Sequence, residues 1–537
     1  MHPQYNENFE KIYHACRSIL GHDTWDRFLG VCVAEPGTGS FPDMLALYVN
    51  NLGLPGFLPE LARLEWDLHQ TAASKIEVPV EIGQLCVNPT LRLLQLSWKN
   101  LPSILNPGRG APPVTPEPGE EFVLVWKNAQ TGEVKIQAAS GEDLLALKIV
   151  MEEVKTEEVA LAGKVPVGAV DAVVDRAIEK GILLAPPSGI QRDPSRFPIG
   201  KDTGNDFLSS PVFTLQWHIT QACDLHCKHC YDRSERTPLQ LEQGFALLDD
   251  LRAFCRSRHV KGQVSFTGGN PLLYPHFGEL YRAAAERGLS TAILGNPAPR
   301  ERIEELIGIQ RPVFFQVSLE GLADYNDTIR GSGHFERVIG FLKVLRDLHV
   351  YSMVMLTLTN DNIDQVLPLA EILRDRTDSF TFNRLSRVGE GARLQLPSPD
   401  TYTAFLEAYL KAVEKNPILA LKDNLFNVLY YQRGVERFGG CTGFGCGAAF
   451  NFLTVLPDGE VHACRKFPSL IGNVLEQSLG EIYDSESAKR YRAGTSACLG
   501  CPIRPVCGGC LAVVYSHGLD VHKERDPYCF IESSLGQ

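Results

Sequence analysis

A chain of 537 residues is too long for one ordinary hydrophobic core, so several domains are expected, and 44% hydrophobic with 22% charged residues is the composition of a soluble globular protein. A formal net charge of −12 with no long Lys/Arg run makes nucleic acid an unfavourable partner, because a phosphate backbone would be repelled. The opening MHPQYNENFEKIY has neither a basic n-region nor an apolar h-region, and no stretch reaches the roughly 18 apolar residues of a membrane span, so a cytoplasmic protein without a membrane partner is expected.

Fifteen cysteines in such a chain read as metal ligands rather than disulfides. Three fall within 223–230 and eight within 441–529; Cys16, Cys32, Cys86 and Cys255 stand apart and are expected to be core thiols.

In chain order, residues 1–75 read as a helical domain. Phe9, Ile12, Cys16, Ile19 and Leu20 share one face of a segment starting near Asn8, and Pro59-Glu60 opens a second segment carrying Leu61, Leu64 and Leu68. The run Leu54 to Gln70 resembles the N-terminal helical domain of DNA-binding or accessory proteins encoded beside modified metal-binding peptides. That implies a partner-binding module; ordinary helical packing explains it equally.

Residues 76–200 turn to strand-like patterning. Leu91, Leu93, Leu94 and Leu96 come first, then a Pro/Gly-rich linker from Asn106 to Glu120. Strands over Phe122–Trp126 and Val134–Gln137 are joined by a Thr131-Gly132 turn. Ser140 caps a helix with Glu142 and Asp143 in its first turn, further helices cover Thr156–Ala162 and Val167–Lys180, and Ile182–Leu184 is a short strand. Two strands, three helices and a final strand describe a winged helix. It resembles the small domain with which peptide-modifying enzymes hold a leader peptide along a sheet edge. A winged helix also binds DNA, but Asp171, Asp175, Arg176, Glu179 and Lys180 are the third helix's only charges, too few of them basic for a groove.

After a linker from Ala185 to Asp206, residues 201–440 alternate strands and helices. The strands are Phe213–Ile219, Gln263–Thr267, Ser290–Leu294, Val313–Ser318, Tyr351–Thr359 and Phe380–Leu385, with helices such as Pro275–Arg287 and Phe335–Leu348 between them. This alternation predicts an α/β fold with a parallel sheet and helices outside. The loop after the first strand carries Cys223, Cys227 and Cys230. Three thiolates spaced C-x3-C-x2-C can hold three irons of a [4Fe–4S] cluster and leave the fourth open for chemistry, although alone they also suit a structural zinc or an electron-transfer cluster. Gly268-Gly269-Asn270-Pro271 ends the second strand, where backbone can approach a ligand closely.

These motifs resemble the signature of the radical S-adenosylmethionine (SAM) superfamily. The resemblance implies a partial (β/α)6 barrel, catalytic Cys223, Cys227 and Cys230 on a [4Fe–4S] cluster, and SAM cleaved there to a 5′-deoxyadenosyl radical. It places Tyr231 near the adenine. Gly268, Gly269, Asn270 and Pro271 match a G-G-E-P segment that holds the SAM amino group, with Asn where Glu is usual. Ser318-Leu319-Glu320-Gly321 and Ile329-Arg330-Gly331 resemble two further segments, making Ser318 and Arg330 candidates for the SAM carboxylate and Glu320 for the ribose. A surface ion pair between Glu320 and Arg330 is the plain alternative. Asn383, near the end of the sixth strand, is a candidate for the same pocket.

Residues 441–537 hold Cys441, Cys446, Cys464, Cys498, Cys501, Cys507, Cys510 and Cys529. They resemble the SPASM extension, which carries two auxiliary [4Fe–4S] clusters. The resemblance implies that Cys441, Cys446, Cys464 and Cys510 ligate one and Cys498, Cys501, Cys507 and Cys529 the other. The Cys507-x2-Cys510 spacing is one residue shorter than the common one, and zinc also accepts four thiolates. Sulfatase-maturing relatives carry an Asp base directly after the cysteine equivalent to Cys464; here Arg465-Lys466 follows.

The whole resembles a radical SAM/SPASM maturase of ribosomally made peptides, with the selenobiotic or thio(seleno)oxazole maturases sharing its module set. That implies oxidative formation of a thioether, carbon–carbon or heterocycle bond in a precursor peptide, with electrons from a low-potential donor such as flavodoxin or ferredoxin. Two alternatives are a protein-side-chain oxidase of the sulfatase-maturing type and a non-catalytic iron–sulfur redox regulator.

Overall fold

The computed structural model describes residues 9–27, 40–76, 79, 82–106, 115–129, 131–197 and 205–531. Cys32, Asn8, most of the 106–120 linker and residues 198–204 of the second linker lie outside the described residues. The chain divides into two compact units, Met1–Pro187 and Ser188–Gln537.

In the first unit, strands β1 (Cys86–Val87), β2 (Arg92–Lys99), β3 (Glu117–Lys127), β4 (Val134–Ala138) and β5 (Leu183–Leu184) accompany the helices. β2, β3 and β4 form an antiparallel sheet. Successive side chains of a strand point to opposite faces, and β3 uses both. Val123 and Val125 pack with Leu64 of the helix Leu58–Ala73, whereas Leu124 and Trp126 pack with Ala146, Leu147, Val170 and Val174 of the helices beyond. Burial on both faces explains why Phe122–Trp126 reads as a continuous apolar run. The arrangement departs from the two-stranded wing expected: Arg92–Lys99 supplies a third strand, and the closing strand β5 pairs instead with β1. At the N-terminus of Gly141–Met151, Ser140 and Asp143 make a reciprocal cap, and Lys180 donates to Asp143 at 2.6 Å.

Of the four lone cysteines, Cys16 and Cys255 are buried, but Cys86 sits half-buried in the two-residue strand β1. Glu65, itself buried, accepts from the backbone N–H groups of Ala15 and Cys16 at 2.7 and 3.2 Å, serving the orphan donors of the helix His14–Leu20.

The second unit is built on a nine-stranded sheet ordered β11-β10-β9-β8-β7-β6-β12-β13-β14. Its strands are β6 (Val212–Thr220), β7 (Lys261–Gly268), β8 (Ser290–Leu294), β9 (Phe315–Ser318), β10 (Ser352–Leu358), β11 (Ser379–Arg384), β12 (Phe452–Val455), β13 (Glu460–His462) and β14 (Leu470–Asn473). β6 through β11 run parallel in sequence order, with helices such as Leu241–Ser257, Phe277–Glu286 and His334–Asp347 between them. β6 and β11 do not pair, so the barrel is open. The free edge of β6 takes β12, parallel, with Phe452 opposite Thr214 and Val455 opposite Trp217, and the β13–β14 hairpin continues the sheet. Among the described residues, no helix is long and apolar enough to cross a membrane.

Candidate active site and cysteine groups

The C-terminal ends of the parallel strands surround a cavity of about 430 Å³. Cys223, Cys227, Cys230 and Tyr231 line it from the loop after β6, Gly268 and Gly269 from the end of β7, Ser318 from β9, Arg330 from the helix Ala323–Arg330, and Asn383 from β11. Residues as much as 160 positions apart, Cys223 and Asn383, are thus gathered because strand ends converge on one rim.

The cysteine loop is tied down through its backbone. Gly269 N–H donates to Thr220 O at 2.8 Å, Asn270 N–H to Ala222 O at 2.7 Å, Lys228 N–H to Ile329 O at 3.0 Å and Glu390 N–H to Cys230 O at 2.9 Å. The two glycines are required here. A Cβ on Gly268 would lie 2.2 Å from Thr220 O and one on Gly269 2.2 Å from Ala222 O, and Gly268 has φ +130.

Not every predicted residue faces the cavity. Asn270 and Pro271 lie behind its wall: Asn270 is buried, and its Nδ2 donates to Asp224 Oδ1 at 3.0 Å. Asn296, which follows β8, donates to the same oxygen at 2.6 Å and points its Nδ2 at Cys223 Sγ, 3.7 Å away. Glu320 is buried and turned away from the cavity. Its Oε1 accepts from Arg330 Nε and Nη2 at 2.9 and 2.6 Å and lies 2.9 Å from His229 Nε2, while Oε2 accepts from Thr357 N at 2.8 Å. Despite the desolvation that opposes it, this pairing holds the carboxyl down at about 2. The pair is a buried support for Arg330, whose Nη1 sits 3.7 Å from Cys227 Sγ. Asn296, His229 and Arg465 line the cavity without having been singled out from sequence for it; Asn296 and His229 had a signal in their positions, at a strand end and between two of the cysteines.

His218, Tyr231 and Arg465 form one wall. Tyr231 Oη is 3.4 Å from His218 Nε2. Burial and then Arg465 push the His218 imidazole down to about 3, and burial pushes the Tyr231 phenol up to about 12.

The other eight cysteines separate into two electrostatic neighbourhoods. Cys446 feels Cys510, Cys464 and Cys441, whereas Cys507 feels Cys529, Cys498 and Cys501. The second set lines a single small cavity beside Arg504 and Arg525. Cys507 and Cys510 lie only three positions apart, yet belong to different sets. Gly508 and Gly509 between them both take left-handed backbone, φ +65 and +64, which reverses the chain in two residues. The short spacing is accommodated by that turn. Burial raises Cys446, Cys464, Cys501, Cys507 and Cys529, and takes Cys498 and Cys510 up to about 11.

Two family profiles match: the Radical SAM superfamily over residues 217–373, and SPASM, an iron–sulfur cluster-binding domain, over 446–510. The chain is an enzyme that carries a radical SAM domain and a SPASM domain; SAM and a [4Fe–4S] cluster are the cofactors of the first, auxiliary iron–sulfur clusters those of the second. It is similar to the AdoMet-dependent heme synthase of Methanosarcina barkeri, 26% identical over 340 residues, 59% of this chain and 95% of that protein. It is also similar to the antilisterial bacteriocin subtilosin biosynthesis protein AlbA of Bacillus subtilis, 25% identical over 347 residues, 61% of this chain and 72% of the relative. Among solved structures, Streptococcus suis SuiB bound to precursor peptide SuiA shares the fold, with a TM-score of 0.50 and 17% identity over 76% of this chain and 96% of that one.

Proposed function

We propose that this enzyme oxidatively modifies a ribosomally synthesised precursor peptide, forming a thioether, carbon–carbon or heterocycle bond. The observation that carries the oxidative reading is the position of Arg465 and Lys466: both line the SAM-type cavity and directly follow Cys464 of the first cysteine set. A substrate in the cavity therefore has the Cys223/Cys227/Cys230 loop on one side and an auxiliary set on the other. Relatives with different products share the core, so the peptide reading rests on the first unit, whose three-stranded sheet leaves β2 and β4 as edges for a leader strand, and on the likeness to a bacteriocin biosynthesis protein.

The site fits the group it would hold. Cys223, Cys227 and Cys230 line one cavity, and Gly268 and Gly269, which line it too, let the end of β7 pack directly on the backbone leading into the cysteine loop. A bound cluster and SAM supply the 5′-deoxyadenosyl radical that takes hydrogen from carbon. Ser318 and Arg330 would face the SAM carboxylate, Tyr231 its adenine and Asn383 the same pocket. Glu320 fixes Arg330, and the half-enclosed cavity shields reactive species from water. Cys441, Cys446, Cys464 and Cys510 would hold one auxiliary cluster, and Cys498, Cys501, Cys507 and Cys529 the other. The electron source would be a low-potential flavodoxin or ferredoxin in the cytoplasm, and the module set is that of the selenobiotic or thio(seleno)oxazole maturases.

The test is anaerobic incubation of reconstituted protein, SAM and dithionite with a small peptide encoded beside the gene. About twelve irons per chain, 5′-deoxyadenosine, and a peptide lighter by about two mass units, one hydrogen pair, support the reading. Deoxyadenosine with an unchanged peptide refutes that peptide as substrate, and neither product refutes the enzyme.

A further inference from the structure

The cations around the cavity are unequally satisfied. Arg330 is paired with Glu320, and Arg384 with both Asp423 and Asp526. Arg236 is paired with Asp458 and Glu460, and Arg233 donates to Cys227 O at 2.9 Å. Arg465 lines the same cavity, is half-buried, and has no hydrogen bond to its side chain and no acidic partner among the described residues.

Nor can the cavity supply a partner itself. Asp232 is the one acid in its lining among the described residues, and both its oxygens are engaged: Oδ1 by Ser234 N and Oγ at 2.9 and 2.6 Å, Oδ2 by Gln221 Nε2 at 2.8 Å. The neighbouring Lys466 also lines the cavity and has no acidic partner among the described residues, but its ammonium is a point charge and lacks the planar fork that pairs bidentately with a carboxylate. Arg465 is the first of the charges felt by His218, near the end of β6, and by Tyr231 in the loop that follows. Ser318 and Arg330, proposed above for the SAM carboxylate, belong to the β9 side, three strands from β6.

A half-desolvated guanidinium left unpaired is costly, and a planar carboxylate answers its fork of donors bidentately. We infer that Arg465 is the specificity residue that anchors a carboxylate of the substrate, so that the residue at or beside the reacting carbon is Asp or Glu or bears the peptide's free C-terminal carboxyl group. This rests on the peptide reading above and names its substrate class.

The test uses oxidised, reconstituted, SAM-loaded protein and three small probes by saturation-transfer NMR: N-acetylglutamate α-amide, N-acetylglutamine and N-acetylglutamine amide. A side-chain carboxylate site binds the first, a chain-terminal site the second, and the third, lacking a carboxylate, binds at least tenfold more weakly than the preferred probe. Arg465→Gln is expected to abolish the preference and Arg465→Lys to retain part of it, with SAM affinity and iron content unchanged in both. Equal binding of all three probes by the unaltered protein overturns the inference. So does an Arg465→Gln protein that keeps the preference, or one that loses SAM affinity at least tenfold, which would assign the guanidinium to SAM. Should Arg465→Gln fail to fold, Arg465→Lys decides: an unchanged preference and probe affinity would count against the role. Because the probes need no turnover, failure to find a modified peptide leaves this result standing on its own.

Discussion

Arg384 and Asp526 meet as a fully buried bidentate pair, Nη1 to Oδ1 at 3.0 Å and Nη2 to Oδ2 at 2.7 Å, joining the last barrel strand to the segment that carries Cys529. Arg384 Nε is held by Asp423 at 2.8 Å, and Asp526 also accepts from Cys510 N and Tyr528 N at 2.9 and 3.0 Å. One carboxylate thus fixes the backbone beside a cysteine of each auxiliary set. Removing one member of a buried pair strands the other, at a cost of about 3–5 kcal/mol. Asp526→Ala is expected to lower the melting temperature of the reconstituted protein and its iron content together. A variant with full iron and an unchanged melting curve would show the pair to be dispensable.

Gly508 and Gly509 offer an internal comparison. Both have left-handed backbone, which costs a residue with a Cβ about 1–2 kcal/mol. Their surroundings differ: a Cβ on Gly508 meets nothing nearer than Cys446 Cβ at 3.7 Å, whereas one on Gly509 comes within 2.8 Å of Asp526 Cβ. Gly508→Ala is therefore expected to keep its iron with a small loss of stability. Gly509→Ala is expected to displace Asp526 and lose about four irons, one cluster's worth, as counted after reconstitution. Equal iron in the two variants would mean that steric room at this turn does not matter.

Much of this architecture could be read from sequence where the signal was local. The six parallel strands show as apolar runs, because strands buried on both faces need no alternation, and the cysteines announce themselves by spacing. What escaped depends on partners distant in the chain. Nothing in Phe452–Val455 says that it will pair with the edge of β6, more than 230 positions earlier. The Arg92–Lys99 strand looked detached because a long linker separates it from β3, and Cys86 looked like a core thiol because its short strand gives no period. Glu320 and Arg330 stand out as a pair in the sequence, but whether the acid faces ligand or guanidinium depends on Thr357 N and His229, which only the fold brings together.

Glu320 and Arg330 give a third prediction. With Glu320→Gln, the amide can still accept one hydrogen bond but brings no charge, so Arg330 loses its counter-ion in a buried site. SAM affinity is expected to fall at least tenfold, because the guanidinium is no longer oriented toward the cavity, while probe discrimination at Arg465 is unaffected. Equilibrium binding of SAM to the reconstituted variant checks this; an unchanged dissociation constant would remove Glu320 from the positioning of Arg330.

His334 supplies a pH dependence whose sign follows from hydrogen bonding. Asn326 Oδ1 accepts from Glu320 N–H at 3.1 Å, which fixes the amide and turns Nδ2 toward His334 Nδ1 at 3.2 Å. That ring nitrogen must accept, so the buried imidazole is held neutral. Burial first, then Arg330 and Arg337, bring it from 6.5 down to about 4, against the opposing pull of Glu320 and Asp327. A folded value below the unfolded one means that the unfolded chain binds the extra proton between those two values. Stability from this residue is complete above about pH 6.5, declines as pH falls toward about 4 and then levels, for about 3 kcal/mol in total. His334→Gln, which keeps an acceptor but cannot titrate, is expected to show a melting temperature that falls less between pH 7 and pH 5 than that of the unaltered protein, measured on the metal-free chain so that cluster loss in acid does not intervene. Parallel pH profiles for the two proteins would show that His334 is not held neutral by Asn326.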